Sequence, residues 1–301
     1  MTRIPDAAFF DRLSRLRLAM GNRASMNLTG NRKSTQKGSS TEFSDFREYM
    51  PGDDIRRIDW NAYGRLDRLY VKQYMEEKEA VVSILIDTSA SMEYGARKKS
   101  ALACFLAAAF AYMGLNHMDR VLLYDMQQMQ QPFAAGGGKR ALPRLTDWLE
   151  QRSFDGKVDV GEAVRQLPMK GPGVTMVISD FLQESFVDAE REQETVGKLL
   201  RFLAYRRQRP ALLHVLAGEE LSVGSSEELA GTRNLIDMEE KSALRLTLDA
   251  ASIRAYEQAL QEFLARMQQE CARQGAFYAV CSTKTDIYQL IFQELRRLYD
   301  I

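Results

Sequence analysis

Two stretches of this 301-residue chain place oxygen-bearing side chains just where an apolar run ends. The first, SILIDTSASM, sets Asp87, Ser89 and Ser91 at alternate positions. The second, VTMVISDF, closes on Ser179 and Asp180. Two carboxylates with neighbouring hydroxyls suit a hard divalent ion. Magnesium takes octahedral oxygen ligands, keeps several waters and needs few protein carboxylates. An ion held largely by neutral ligands stays electrophilic, and an open coordination position accepts a carboxylate from another protein. That chemistry predicts regulated docking rather than hydrolysis. A bare D-x-S-x-S spacing also suits a helix cap, because Asp and Ser satisfy free N–H groups at a helix start. Asp180, at the end of a second strand, tips the reading towards a magnesium or manganese site.

Such a site needs a sheet to position it. Ala80–Ile86 (AVVSILI) is a continuous apolar, β-branched run, the pattern of a strand buried on both faces. Residues 97–114 predict a helix that is apolar almost all round and therefore deep in the core. Further strands are expected at Val121–Tyr124, Gln130–Phe133, Val174–Ser179, Ala211–Ala217 and Phe277–Val280. Helices are expected over 6–19, 140–151, 159–167 and 186–207, then along a stripe from Ile253 to Cys271 and a closing one from Ile287 to Leu298. Residues 21–42 read as a loop, and 218–249 interrupt the rhythm with short β-like pieces. Strands alternating with helices imply a mainly parallel sheet with right-handed crossovers, covered on both faces. In such sheets ligands bind at the carboxyl ends of the strands, near the switch in strand order.

Composition narrows the classes. Lys and Arg number 41, as do Asp and Glu, whereas a protein that coats nucleic acid is normally far more basic. The balance is uneven, because Arg3, Arg12, Arg15, Arg17, Arg23, Arg32, Lys33 and Lys37 face only Asp6 and Asp11 within residues 1–40. This arm reads as a solvated helix and loop, with RNA, an acidic membrane surface or an acidic partner as the alternative. It lacks the interleaved aromatics of a stacking platform. Cys104, Cys271 and Cys281 are too few for a disulfide scaffold and point to a reducing compartment. The first twenty residues lack the apolar segment of a secretory signal, and the longest apolar run, Ala101–Met113, is 13 residues against the ~18–20 of a spanning helix. A cytoplasmic protein without a transmembrane segment is expected, with peripheral membrane contact left open. His117 and His214 lie outside any nucleophile motif, and Gly136–Lys139 is followed by Arg140 rather than the Ser or Thr of a phosphate loop. The expectation is that the protein is not an enzyme.

IDTSASM together with VISDF resembles the metal-ion-dependent adhesion site of von Willebrand factor A domains. The segment upstream is more particular. Tyr49, Pro51, Gly52, Asp53, Asp54, Arg56, Ile58, Asp59 and Trp60 match the Y-x-P-G-D-D-x-R-x-I-D-W signature of the bacterial family called domain of unknown function 58. The resemblance implies a von Willebrand A-like, doubly wound α/β domain over 79–301, interrupted at 218–249, behind an N-terminal extension over 1–78. It implies Asp87, Ser89, Ser91 and Asp180 as ligands of Mg2+ or Mn2+. Val158, in FDGKVDVGEAV, stands where A domains carry a threonine ligand, and Asp159 beside it is the substitute on offer. Asp53, Asp54, Arg56, Asp59 and Trp60 form the implied partner-binding segment. Pro51-Gly52 predicts a tight turn. Asp53, Asp54 and Asp59 are expected to form ion pairs with Arg56, Arg57, Arg65 and Arg68, with Trp60 packed as an anchor. The family further implies a non-enzymatic interaction module working with a MoxR-type AAA+ ATPase as a chaperone-like system on a client protein. Two other functions stay open: a metal-dependent hydrolase using the same site, and a nucleic-acid binder using the arm at 12–37.

Overall fold

The computed structural model describes residues 7–18, 41–76, 81–117, 119–135, 138–168, 172–183, 186, 189–223, 231–236 and 243–300. Most of the expected loop at 21–42 and the basic residues Arg3, Arg23, Arg32, Lys33 and Lys37 lie outside them, as do Gly136 and Gly137. Two compact units emerge: Met1–Asn22 with Ala80–Ile301, and Arg23–Glu79.

The larger unit is built on strands β4 (Val81–Ile86), β5 (Arg120–Asp125), β6 (Phe133–Ala135), β7 (Gly173–Ser179), β8 (Gln208–Leu216) and β11 (Phe277–Ser282). They form a six-stranded sheet in the order β11-β8-β7-β4-β5-β6, parallel except for the antiparallel edge strand β6. The chain starts at the central strand, moves outward to one edge, then returns to β7 on the other side of β4. Strand order therefore reverses between β4 and β7, the position at whose carboxyl ends open α/β sheets generally bind ligands. Every residue of β7 is buried, and so are the last five of β4, which accounts for their mostly apolar sequences.

Helices cover both faces. Helix α3 (Lys99–Asn116) packs with β4, β7 and the closing segment 287–298 in one core; α6 (Ala189–Tyr205), α5 (Val160–Arg165) and the C-terminal half of α8 (Ala250–Arg273) fill the other. Helix α3 is long and apolar enough to pass for a membrane span by composition, but 72% of it is buried within the fold. Its closest approach to the sheet depends on Gly114, where a Cβ would fall 2.8 Å from Val121 Cγ2 and 3.4 Å from Val82 Cγ2.

The first helix is shorter than its periodicity predicts. Helix α1 stops at Leu13, and Arg17–Leu18 form a short strand β1 against Tyr299–Asp300, strand β12. Phe9 and Leu13 are fully buried in the α3 core, so this segment belongs with the larger unit instead of with an extension reaching to residue 78. The β-like pieces within 218–249 are an antiparallel pair, β9 (Gly231–Ile236) and β10 (Ala243–Leu248).

The smaller unit is an antiparallel ribbon, β2 (Thr41–Glu48) and β3 (Tyr70–Glu76), connected through a turn and the short helix α2 (Trp60–Leu66). Asp53 N–H donates to Met50 carbonyl at 3.0 Å, and Gly52 has φ of +106°, so Pro51-Gly52 makes the expected tight turn.

Candidate functional site

Asp87 is the first residue after β4, and Asp180 the first after β7. The two strands are in register at Ile86 and Ile178, and the Asp87 N–H donates to the Ile178 carbonyl at 2.9 Å. Parallel pairing therefore sets Asp87 opposite Ser179, one residue before Asp180, and leaves the two carboxylates as electrostatic neighbours, each almost wholly buried. Beyond Asp180 the chain turns sharply: Phe181 has φ of +49°, a left-handed conformation that a bulky residue adopts only when its surroundings impose it. Ser179 Oγ accepts from the Phe181 N–H and Asp180 Oδ1 from the Leu182 N–H, which fixes that turn around the carboxylate.

One hydrogen-bonded chain connects the polar groups. Ser179 Oγ donates to Asp87 Oδ2 at 2.5 Å, and Asp87 Oδ1 accepts from the Ser89 N–H at 2.9 Å. Ser89 and Ser91 hydroxyls meet at 3.0 Å, and Ser91 lies near enough to Asp180 to help hold its carboxyl down. The structure thus places Asp87, Ser89, Ser91 and Asp180 in one neighbourhood. The loop that carries the serines is clamped from beneath. Thr88 Oγ1 donates to Asp125 Oδ1 at 2.6 Å, Gln127 Nε2 donates to the Thr88 carbonyl at 2.7 Å, and the Ala90 N–H donates to the Gly156 carbonyl at 3.1 Å.

The sequence reading missed the cation in the middle. Lys99, the first residue of α3, is 1% exposed. Its Nζ donates to Asp180 Oδ2 and to Glu220 Oε1, both at 2.8 Å. Glu220 is held in turn by the Ala217 N–H, at 2.7 Å from Oε2. Its helical turn, Gly218–Leu221, directly follows β8, the next strand in the sheet. A lysine opening an apolar helix looks like a surface residue, and GEEL looks like the start of a polar loop. Only the fold shows that both point inward.

The electrostatics follow from this arrangement. Burial and the neighbouring Asp180 push the Asp87 carboxyl up to about 6. Burial acts the same way on Asp180, but the Lys99 ammonium more than offsets it and holds Asp180 below the usual carboxylate range. Burial alone would lower Lys99; the two carboxylates keep it above its ordinary value and hence charged. Glu220 is raised by burial, with Lys99 pulling the other way. With all four groups ionised, three negative charges meet one positive charge, and Asp87 is the carboxylate no cation touches.

Val158 is buried, and its carbonyl accepts from Gln183 Nε2. Asp159 caps α5, its Oδ1 accepting from the Glu162 N–H at 2.8 Å. Among the described residues no hydrogen bond joins Asp159 to the Asp87–Asp180 chain, so its carboxylate serves a helix start. His214 is also buried, its Nδ1 bonded to the Tyr278 hydroxyl at 2.7 Å among Phe181, Phe263 and Tyr278, and burial lowers it to about 4. It is a neutral core residue.

In the smaller unit two of the aspartates cap helical turns and a third forms an ion pair. Asp59 Oδ1 accepts from the Asn61 and Ala62 N–H groups, and Asp54 Oδ1 from the Arg56 N–H, because helical turns leave N–H groups free at their starts. Arg47 Nη2 donates to both carboxylate oxygens of Asp53, at 2.8 and 2.9 Å, and Arg68 pairs with Glu48. Among the described residues Arg56 and Arg65 form no ion pair. The side chain of Arg57 lies outside the described set. Trp60 is not a packed anchor. It is 64% exposed on α2, which buries no residue, and among the described residues its ring neighbour is Tyr63, edge-on at 6.3 Å between ring centres.

A family model described as a protein of unknown function, DUF58, matches residues 45–263. Uncharacterised proteins from Mycobacterium tuberculosis and Mycobacterium bovis are 28% identical over 153 residues, which is 48% of this chain and 48% of theirs. The chain thus spans about half the length of the curated relatives it matches. A solved structure described as an uncharacterised membrane-spanning protein from Vibrio fischeri aligns with 72% of this chain and 96% of its own at 10% identity, with a TM-score of 0.20.

Proposed function

The chain belongs to the DUF58 family of proteins of unknown function, and on that premise we propose that it is a cytoplasmic protein-interaction module with a von Willebrand A-like adhesion-type metal site. One observation carries the reading. Two buried carboxylates, Asp87 and Asp180, follow adjacent strands at the strand-order reversal of a parallel sheet and act on each other electrostatically, with the Ser89 and Ser91 hydroxyls beside them. Oxygen donors of this kind fit a hard divalent cation. Among the described residues no three Asp, Glu, His or Cys side chains converge on one point. A cation here would therefore rest on Asp87, Asp180 and the two serine hydroxyls, with water completing its shell. Bound Mg2+ or Mn2+ would supply an electrophilic position for a partner's carboxylate. The protein's own residues hold that position buried on one side and strained into shape by the turn at Phe181.

The same module would act as an adaptor for a MoxR-type AAA+ ATPase in a chaperone-like system, with the smaller unit offering the docking face. Supporting this part are the exposed Met50, Ile55, Trp60 and Leu66, each at least 60% accessible beside exposed Arg56 and Arg65.

The test is calorimetric titration of the full chain with Mg2+ and Mn2+, alongside Asp87→Ala, followed by binding to the ATPase with metal or chelator. Saturable metal binding lost in the variant, together with metal-dependent capture of the ATPase, is the expected result. An Asp87→Ala protein that binds the ATPase at wild-type affinity in magnesium removes the metal bridge.

A further inference from the structure

We propose that Lys99 is a tethered counter-cation of this site: its ammonium stands on Asp180 in the resting protein and must transfer its bonding to Glu220 before a divalent ion can take Asp180 as a ligand. The inference rests on the metal reading above and adds a competitor and a parking place that the reading alone does not contain.

The geometry separates the two ends of the bridge. Asp180 neighbours the hydrogen-bonded group Ser91, Ser89 and Asp87 at the carboxyl ends of β4 and β7. Glu220 lies outside that group, bound on its other oxygen by the Ala217 N–H beyond β8. Lys99 Nζ is equidistant from both, at 2.8 Å. A divalent ion on Asp87, Ser89, Ser91 and Asp180 would meet the ammonium on the same carboxylate, and like charges in so dry a place repel strongly. Glu220 gives the displaced ammonium a carboxylate already in contact, so displacement leaves no buried charge unpaired.

The lysine is rooted at its backbone while its head has two partners. Its N–H donates to the Tyr94 carbonyl at 3.2 Å. The residues on either side, Lys98 and Ser100, are both bound to Glu93, with the Ser100 hydroxyl at 2.6 Å. The start of α3 is thereby fixed, leaving the four-carbon side chain as the part that can shift. The Tyr94 ring, 5.8 Å from Nζ, adds an aromatic face on the same path.

The arrangement predicts opposite effects from the two partners of the bridge. In full-length protein, Mn2+ affinity measured by calorimetry should rise on the order of tenfold or more in Lys99→Met, because the competitor is gone; neighbours of metal ligands change affinity by about 10–100-fold. Glu220→Gln should lower affinity relative to wild type, since the ammonium loses its second partner and stays on Asp180. The double variant Lys99→Met/Glu220→Gln, which removes one charge of each sign, should match Lys99→Met in affinity. It also covers the case in which Lys99→Met does not fold. Equal affinities in wild type and in the Lys99 variants would overturn the inference while leaving a metal site in place. A double variant that binds less tightly than Lys99→Met would also overturn it, by making Glu220 a ligand. Failure of every protein, wild type included, to bind Mn2+ would sink the metal reading itself and this inference with it.

Discussion

Asp87 carries a charge that burial makes costly, and its energetics have a definite sign. Its folded-state pKa of about 6 lies above the reference value of 3.8, so the folded protein holds that proton more tightly than the unfolded chain does. The contribution therefore favours folding at low pH and is lost as pH climbs from about 4 through about 6, on the order of 3 kcal/mol in all. In chelator-treated protein, Asp87→Asn should remove this dependence. The difference in thermal midpoint, wild type minus variant, should fall as pH rises across that window. A difference that stays flat from pH 4 to 7 would show that Asp87 is ionised throughout. The same group shows what sequence can and cannot convey. Asp87 and Asp180 are readable because each ends a run that only a buried strand explains. Asp125 ends β5 in the same manner and could have been found by the same rule. Lys99 and Glu220 could not, because their pairing joins the start of a helix to the turn after β8, positions 121 residues apart that share no periodicity.

The elements around the site work by close approach. Helix α3 lies on β4 and β5 at Gly114, where Val82 and Val121 leave no space for a methyl group. Ala in place of Gly ordinarily favours a helix interior by about 1 kcal/mol. Here the added carbon would push the helix off the sheet, and Gly114→Ala should instead destabilise the protein by roughly 1–3 kcal/mol in urea denaturation. A stabilised variant would mean that α3 can slide without cost. Since Lys99 begins this helix, the variant should also disturb the bridge to Asp180. The helix itself was plain in the sequence from its apolar run, and each of the six sheet strands was anticipated to within a few residues. Element ends were less so. Helix α1 stops at Leu13 because the following residues pair with Tyr299–Asp300, a contact between remote parts of the chain that no local pattern encodes. Tyr256 fits the apolar stripe of α8 yet is 40% exposed, since only the later part of that helix reaches the core.

The chain as a whole is one α/β unit into which a second unit, Arg23–Glu79, is inserted. The inserted unit holds most of the signature residues and uses its aspartates to shape its own turns, which frees Trp60, Ile55 and Met50 to face outward. In the proposed function these exposed apolar side chains are the docking face. Trp60→Ala should change overall stability by no more than about 0.5 kcal/mol, as substitutions on an open surface do. It should nonetheless abolish capture of the ATPase while leaving Mn2+ affinity at the wild-type level. Unchanged capture would place the docking face elsewhere. Within the larger unit β4 ends one residue before Asp87 and is hydrogen-bonded on both sides, to β5 and to β7. A pull along β4 would load both ladders together in shear, and the carboxylate at its end would register it.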